Sequence, residues 1–108
     1  MALPNELSPN ELKGLMDSRY PLVLLDVREP EEVALVAIAG AVHIPMGEIS
    51  GRVHELDPQA EIVVYCHHGI RSAHVAAFLQ QREFRSVANL RGGIDAWSLA
   101  VDRTLPRY

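Results

Sequence analysis

The chain has 108 residues, the size of one domain, and we predict a single domain over residues 1–108. Hydrophobic residues make up 48% and charged residues 22%, as in soluble globular proteins. The net charge of −4 disfavours nucleic acid as a partner. The single cysteine excludes an internal disulfide, and we expect a cytoplasmic protein without a signal peptide. No apolar stretch approaches the roughly 20 residues that span a bilayer, so we expect no membrane association.

Short apolar runs alternate with helical patterns along the chain. Ser8, Pro9 and Glu11 predict a helix start with a capping serine, and Leu22 to Leu25 is an apolar run ending at Asp26 that suits a buried strand. The other predicted elements are a helix over 30–36, a strand over 41–44, a helix over 47–56, a strand over 61–65, a helix over 73–82, a strand over 86–90 and a helix over 94–101. The tail, 102–108, is expected to wrap the surface.

This alternation predicts an α/β fold with a mostly parallel central sheet and helices on both faces. In such sheets the reactive site lies at the carboxyl ends of the strands. Asp26, Cys66 and the turn Arg91-Gly92-Gly93 each follow a predicted strand. We therefore expect these three segments to converge on one edge of the sheet.

Residues 66–72, Cys-His-His-Gly-Ile-Arg-Ser, follow a β-branched run directly. Gly69 allows a tight turn, and we expect Ser72 to cap the next helix. A strand–loop–helix turn directs backbone N–H groups and the positive end of a helix dipole into one cup. Because such a cup stabilises a thiolate, the loop predicts that Cys66 is a nucleophile.

Four segments carry a family resemblance: residues 25–32 (Leu-Asp-Val-Arg-Glu-Pro-Glu-Glu), 38–45 (Ile-Ala-Gly-Ala-Val-His-Ile-Pro), 66–72, and 90–97 (Leu-Arg-Gly-Gly-Ile-Asp-Ala-Trp). Their order and spacing resemble the rhodanese family of single-domain sulfurtransferases over nearly the whole chain. One departure is Ala37, where the family usually has a histidine that is thought to support packing.

The resemblance implies a rhodanese-type thiosulfate sulfurtransferase that works through a persulfide on Cys66, without a metal or an organic cofactor. A donor such as thiosulfate would load Cys66, and cyanide, a thiol or a protein cysteine would accept the sulfur. Asp26 and Arg28 would brace the loop. The residues that we expect to bind the substrate are His67, His68, Gly69, Ile70, Arg71 and Ser72.

Two other classes of function stay open at this point. The first is an oxyanion-handling phosphatase or arsenate reductase, because the related enzymes pair the same thiol with an arginine. Their loop is one residue longer than the six residues from Cys66 to Arg71, and the shorter loop favours sulfur transfer. The second is a non-enzymatic sulfur-carrier or docking module. The oligomeric state is not predicted.

Several other residues invite a functional interpretation that we do not adopt. A zinc site from Cys66, His67, His68 and His74 matches none of the usual zinc spacings. His43, His54 and His74 are expected to be surface or half-buried residues. Trp97, Ile94 and Leu99 are expected to pack the last helix onto the sheet. Gly92 and Gly93 are expected to form a sharp turn close to the active loop.

Overall fold

A computed structural model describes residues 2–108. Strands β1–β5 are Glu6–Leu7, Val23–Asp26, Val42–His43, Glu61–Tyr65 and Ser86–Leu90, and helices α1–α5 are Pro9–Asp17, Pro30–Leu35, Ile49–Arg52, Ile70–Gln81 and Gly93–Ala100. None of the helices within residues 2–108 is long and apolar enough to cross a membrane.

The five strands form one parallel sheet in the order β1-β5-β4-β2-β3. Strand β4 lies at the centre and is buried along its whole length, as its continuous β-branched run predicts. Asp26 on β2 pairs with Tyr65 on β4, and Val64 pairs with Asn89 on β5. The carboxyl ends of these three strands therefore lie side by side.

Successive residues of β4 face opposite sides of the sheet, because side chains alternate along a strand. Ile62 and Val64 belong to a core cluster with residues of α3 and α4, whereas Val63 and Tyr65 belong to a second cluster with residues of α1 and α5. The sheet is thus covered by helices on both faces, which confirms the predicted fold class.

Helix α1 begins as the sequence predicts. The Ser8 hydroxyl accepts a hydrogen bond from the Glu11 N–H at 3.1 Å, and the Glu11 carboxylate accepts one from the Ser8 N–H at 2.8 Å. These two reciprocal bonds satisfy N–H groups that have no partner inside the helix. The predicted capping box is therefore confirmed.

Three local features of the fold differ from what the sequence predicts. Strand β1 was missed because it is only two residues long. The predicted helix over 47–56 is broken into α3 flanked by 3-10 turns at Met46–Glu48 and Val53–Glu55; Gly47 and Gly51 weaken a regular helix there. Leu99 is 43% exposed, whereas Ile94 and Trp97 are buried as expected. It lies two residues from Trp97, hence on the opposite side of α5.

Candidate active site

The predicted convergence on one edge of the sheet is confirmed by hydrogen bonds. The N–H of Ile94 donates to the Cys66 carbonyl at 2.9 Å, and the N–H of Asp95 donates to the His67 carbonyl at 3.1 Å. The start of α5 therefore holds the backbone of the loop after β4. Gly93 has a φ of +61°, and a Cβ there would lie 2.4 Å from the His67 carbonyl oxygen. This close approach requires glycine.

Cys66 lies at the bottom of a cup of hydrogen-bond donors and is 1% exposed. Its Sγ lies 3.1 Å from the Gly69 N–H nitrogen, 3.4 Å from the Ser72 nitrogen and 3.3 Å from the Ser72 hydroxyl. Gly69 has a φ of +103°, which reverses the chain and lets α4 begin at Ile70. A cup with this composition stabilises a negative charge on sulfur.

The expectation that Ser72 caps α4 was wrong. Gly69 occupies the cap position, and Ser72 lies inside the first turn of the helix. The left-handed turn at Gly69 starts the helix earlier than the sequence pattern suggests. Ser72 is consequently turned towards Cys66 and donates to its sulfur instead.

Asn89 forms hydrogen bonds with two residues of the loop around Cys66, and the sequence analysis did not identify it. Its side-chain carbonyl accepts a hydrogen bond from the Ser72 hydroxyl at 2.5 Å, and its amide group donates to the Gly69 carbonyl at 3.1 Å. One residue therefore holds both the middle and the end of the loop that surrounds the sulfur. A polar side chain in the interior of a buried strand was the signal for it.

The hydrogen bonds of the cup act directly on the thiol. Burial alone would raise the pKa of Cys66, but hydrogen bonds from Ser72, Gly69 and His68 outweigh it and lower the pKa below its ordinary value. Near neutral pH, a larger fraction of Cys66 is therefore thiolate than would be the case for an ordinary cysteine. The thiolate is the nucleophilic form of cysteine.

Arg71 is bound by a carboxylate that the sequence analysis did not single out. Its two terminal nitrogens donate to the two oxygens of Glu32 at 2.7 and 2.9 Å. Glu32 also accepts hydrogen bonds from the Tyr108 hydroxyl at 2.7 Å and the Glu29 N–H at 3.1 Å. These hydrogen bonds lower the pKa of Glu32 to about 2, and the largest effect is that of Arg71. The expected role of Arg71 in binding a donor stays a prediction.

Asp26 and Arg28 form a buried ion pair beneath the loop. An Arg28 nitrogen lies 2.7 Å from an Asp26 oxygen, and both side chains are at most 1% exposed. The Tyr65 hydroxyl donates to Asp26 at 2.8 Å, and Arg28 donates to the Val36 carbonyl at 2.7 Å. The pair thus ties β2 and β4 to the segment after α2. This geometry suits the bracing role that the resemblance implies.

The tail reaches the site, although the sequence showed it only as a surface wrap. The Tyr108 ring stacks on the His67 ring with centroids 3.8 Å apart and planes 8° from parallel. Its hydroxyl accepts a hydrogen bond from Arg28 at 3.0 Å as well as donating to Glu32. Tyr108 therefore links the two arginine–carboxylate pairs. Tyr108 and Glu32 are 76 positions apart in the sequence, so no local pattern predicts this contact.

His67, His68 and Asp95 bring three atoms that could bind a metal within 4.8 Å of one another. Both oxygens of Asp95 are already bound by Arg107, at 2.8 and 3.2 Å. The two imidazole rings stack on each other with centroids 3.8 Å apart. This arrangement fits a metal poorly, and His74 lies outside the group.

The remaining residues of the predicted site lie at its rim. Ile70 is 72% exposed at the start of α4. His68 is exposed, and its Nε2 lies 3.9 Å from an Asp95 oxygen. Burial, followed by the charge of His68, lowers the pKa of His67. Because that pKa is below the ordinary histidine value of about 6.5, His67 is mostly uncharged at neutral pH.

Comparison with known proteins gives a consistent result. Residues 8–100 match the family model described as a rhodanese-like domain. The Bacillus subtilis protein YtwF is 42% identical over 92 residues, covering 85% of this chain and 88% of YtwF. A sulfurtransferase of Allochromatium vinosum is 36% identical over 94 residues, and the match covers 87% of this chain and 88% of that protein. The chain spans half of a further relative, YrkF of Bacillus subtilis.

The fold comparison agrees. The crystal structure of a rhodanese-like domain protein from Staphylococcus aureus superimposes with a TM-score of 0.84 at 28% identity. The match covers 97% of this chain and 99% of the other.

Proposed function

The chain belongs to the family of rhodanese-like domains, and from that premise we propose that it transfers sulfane sulfur from a small donor to a thiophilic acceptor through a persulfide on Cys66. The observation that carries the proposal is the set of donors around Cys66 Sγ, at 3.1 to 3.4 Å from Gly69 and Ser72. The same donors can stabilise the thiolate before the transfer and the anionic persulfide after it.

The proposed reaction has two displacement steps. The Cys66 thiolate attacks the outer sulfur of a donor such as thiosulfate, a new S–S bond forms, and the old S–S bond breaks. The electron pair of the broken bond leaves with sulfite. An acceptor nucleophile such as cyanide or a thiol then takes the outer sulfur and returns the Cys66 thiolate. Neither step requires a metal or an organic cofactor.

The loop is better suited to sulfur transfer than to hydrolysis of an oxyanion ester. An arginine that holds a phosphate must offer its planar fork of donors to the oxygens of the substrate. Here Glu32 takes the fork of Arg71 in a two-pronged ion pair. The six-residue loop also closes tightly on the sulfur, since the Gly69 nitrogen lies 3.1 Å from it. Both features support sulfur as the transferred atom.

Thiocyanate formation tests the proposal. We expect the protein to form thiocyanate from cyanide and a sulfane donor, and we expect Cys66→Ala to abolish it. His74→Ala is a suitable control because His74 is exposed on α4, outside the cup. Equal thiocyanate formation by wild type and Cys66→Ala would refute the proposal. Turnover of an aryl phosphate that Cys66→Ser abolishes would support the hydrolase instead.

A further inference from the structure

Three of the arginines near the active loop each have a carboxylate within 3 Å. Arg28 pairs with Asp26 at 2.7 Å, Arg71 with Glu32 at 2.7 Å, and Arg107 with Asp95 at 2.8 Å. The sulfur is therefore stabilised by hydrogen-bond donors rather than by an unpaired arginine. Backbone N–H groups and a hydroxyl carry no net charge. They stabilise each negative charge of an anion less strongly than a nearby unpaired guanidinium would, so a second negative charge on the donor gains less.

Arg71 is the arginine whose pairing matters most to a donor. It belongs to the loop itself, and its pKa is raised mainly by Glu32 and further by the charge of Cys66. The partner carboxylate is held by four hydrogen bonds, two from Arg71 and one each from Tyr108 and Glu29. A dianionic donor could gain the charge of Arg71 only in competition with Glu32. A donor with one negative charge needs only the cup.

We infer that Glu32 sets the charge preference of the site by neutralising Arg71, so that sulfur donors with a single negative charge, such as thiosulfonates and persulfides, are preferred to dianionic thiosulfate. This inference rests on the proposed function and adds the class of donor to it. Cys66 attacks the outer sulfur in each case, and the electron pair leaves with sulfite from thiosulfate, with a sulfinate from a thiosulfonate, or with a thiolate from a persulfide. Glu32 acts through Arg71 and does not touch the donor itself. It is therefore a positioning residue, because it holds and neutralises the Arg71 guanidinium.

Two donors with the same reacting group provide the test. Methanethiosulfonate differs from thiosulfate in having a methyl group in place of one charged oxygen, and it therefore carries one negative charge less. The measured quantity is the ratio of kcat/KM for methanethiosulfonate to kcat/KM for thiosulfate, with cyanide as acceptor. The two donors differ in intrinsic reactivity, but this difference is the same for every variant. It therefore cancels when the ratio for one variant is compared with the ratio for another. Assays at pH 8 and low salt limit histidine protonation and limit the screening of charges by salt.

Four proteins separate the effect of charge from other effects. Glu32→Gln leaves Arg71 unpaired, and we expect the ratio to fall roughly tenfold because a nearby unpaired cation favours the dianion. Arg71→Gln leaves Glu32 unpaired and should raise the ratio. The double variant has no net charge at this pair and should return close to wild type. Glu31→Gln removes an exposed carboxylate one position away and should leave the ratio unchanged.

A second measurement uses only the wild-type protein. Methanesulfonate and sulfate are unreactive mimics with one and two negative charges. We expect methanesulfonate to protect Cys66 from alkylation at lower concentrations than sulfate does. Better protection by sulfate would overturn the inference even if Glu32→Gln failed to fold.

The outcomes distinguish a failure of this inference from a failure of the proposed sulfur transfer on which it rests. Turnover with an unchanged ratio in Glu32→Gln would overturn the inference alone, as would an equal change in Glu31→Gln. Absence of thiocyanate from both donors, in wild type and in every variant, would contradict the proposed function and with it the inference.

Discussion

Ser72 donates to Cys66 Sγ twice, from its backbone N–H at 3.4 Å and from its hydroxyl at 3.3 Å. The same hydroxyl lies 2.5 Å from the Asn89 side-chain carbonyl. Because a hydroxyl has one hydrogen, Cys66 and Asn89 compete for it. Asn89 therefore influences how strongly the side chain of Ser72 stabilises the thiolate.

This relationship predicts the pH dependence of Cys66. The pKa of Cys66 is lowered because hydrogen bonds from Ser72 and the loop outweigh its burial, so alkylation by iodoacetamide should reach half its maximal rate below the pH of an ordinary thiol. Ser72→Ala should move that midpoint upwards. A lost hydrogen bond of about 1 kcal/mol corresponds to a rate roughly fivefold lower at pH 7.

Ser50→Ala is a control for the Ser72 experiment because Ser50 is exposed on α3. We expect its alkylation profile to match that of wild type. An unshifted midpoint in Ser72→Ala would show that the remaining N–H groups of the loop are sufficient to stabilise the thiolate.

Gly93→Ala should destabilise the fold and the site together. A new Cβ would lie 2.4 Å from the His67 carbonyl oxygen and 2.5 Å from that of Cys66, at a φ of +61°. We expect a loss of about 2 to 4 kcal/mol in the free energy of unfolding, measured by urea denaturation. Gly47→Ala is the matched control, because a Cβ at Gly47 meets nothing within 4 Å. Similar losses in the two variants would contradict the close approach of α5 to the loop.

Tyr108 should contribute to stability through both its ring and its hydroxyl. Tyr108→Phe keeps the ring that stacks on His67 but removes the bridge between Arg28 and Glu32. We expect it to cost about 1 kcal/mol, and Tyr108→Ala to cost about twice as much. Urea denaturation measures both changes. If Tyr108→Ala unfolded like wild type, the contact between the tail and the loop would be refuted.

The pair between Glu32 and Arg71 predicts how stability changes in acid. The pKa of Glu32 is lowered to about 2 in the folded protein, mainly by Arg71. A lowered folded-state pKa contributes stability that is present above the unfolded value of about 4.3 and is lost as the pH falls towards the folded value. We expect a contribution of about 1 to 2 kcal/mol, since the pair is partly exposed to solvent.

Urea denaturation at several pH values between 2 and 5 checks this prediction. In Glu32→Gln the pH dependence should be shallower over that range, because one carboxylate no longer takes up a proton on unfolding in acid. Glu31→Gln, at an exposed neighbour, should retain the wild-type slope. An identical slope in Glu32→Gln would mean that Glu32 titrates normally in the folded protein.

The sequence was sufficient for the features that depend on local patterns. The buried run of β4, the capping box of α1 and the order of the four motif segments predicted a parallel sheet covered by helices and the position of Cys66, although β1 was missed. The turn at Gly92-Gly93 was also placed correctly against the active loop. Each of these features is determined by residues that are close in the sequence or by the general rules of parallel sheets.

Contacts between distant residues could not be predicted in the same way. Glu32 meets Arg71 across 39 positions, and Tyr108 meets Glu32 across 76. No periodicity links such residues, and a glutamate in the first turn of a helix is explained equally well by the helix dipole. The role of Ser72 was missed for a local reason, because the left-handed Gly69 starts α4 at Ile70.

The most direct test of the central claim is the intact mass of the protein after incubation with methanethiosulfonate or thiosulfate, with Cys66→Ala treated in parallel. The account predicts a gain of one sulfur atom in the wild type that disappears on adding cyanide and is absent from Cys66→Ala. A gain that persists in Cys66→Ala would contradict it, as would no gain from either donor on a thiol shown to be free and reactive.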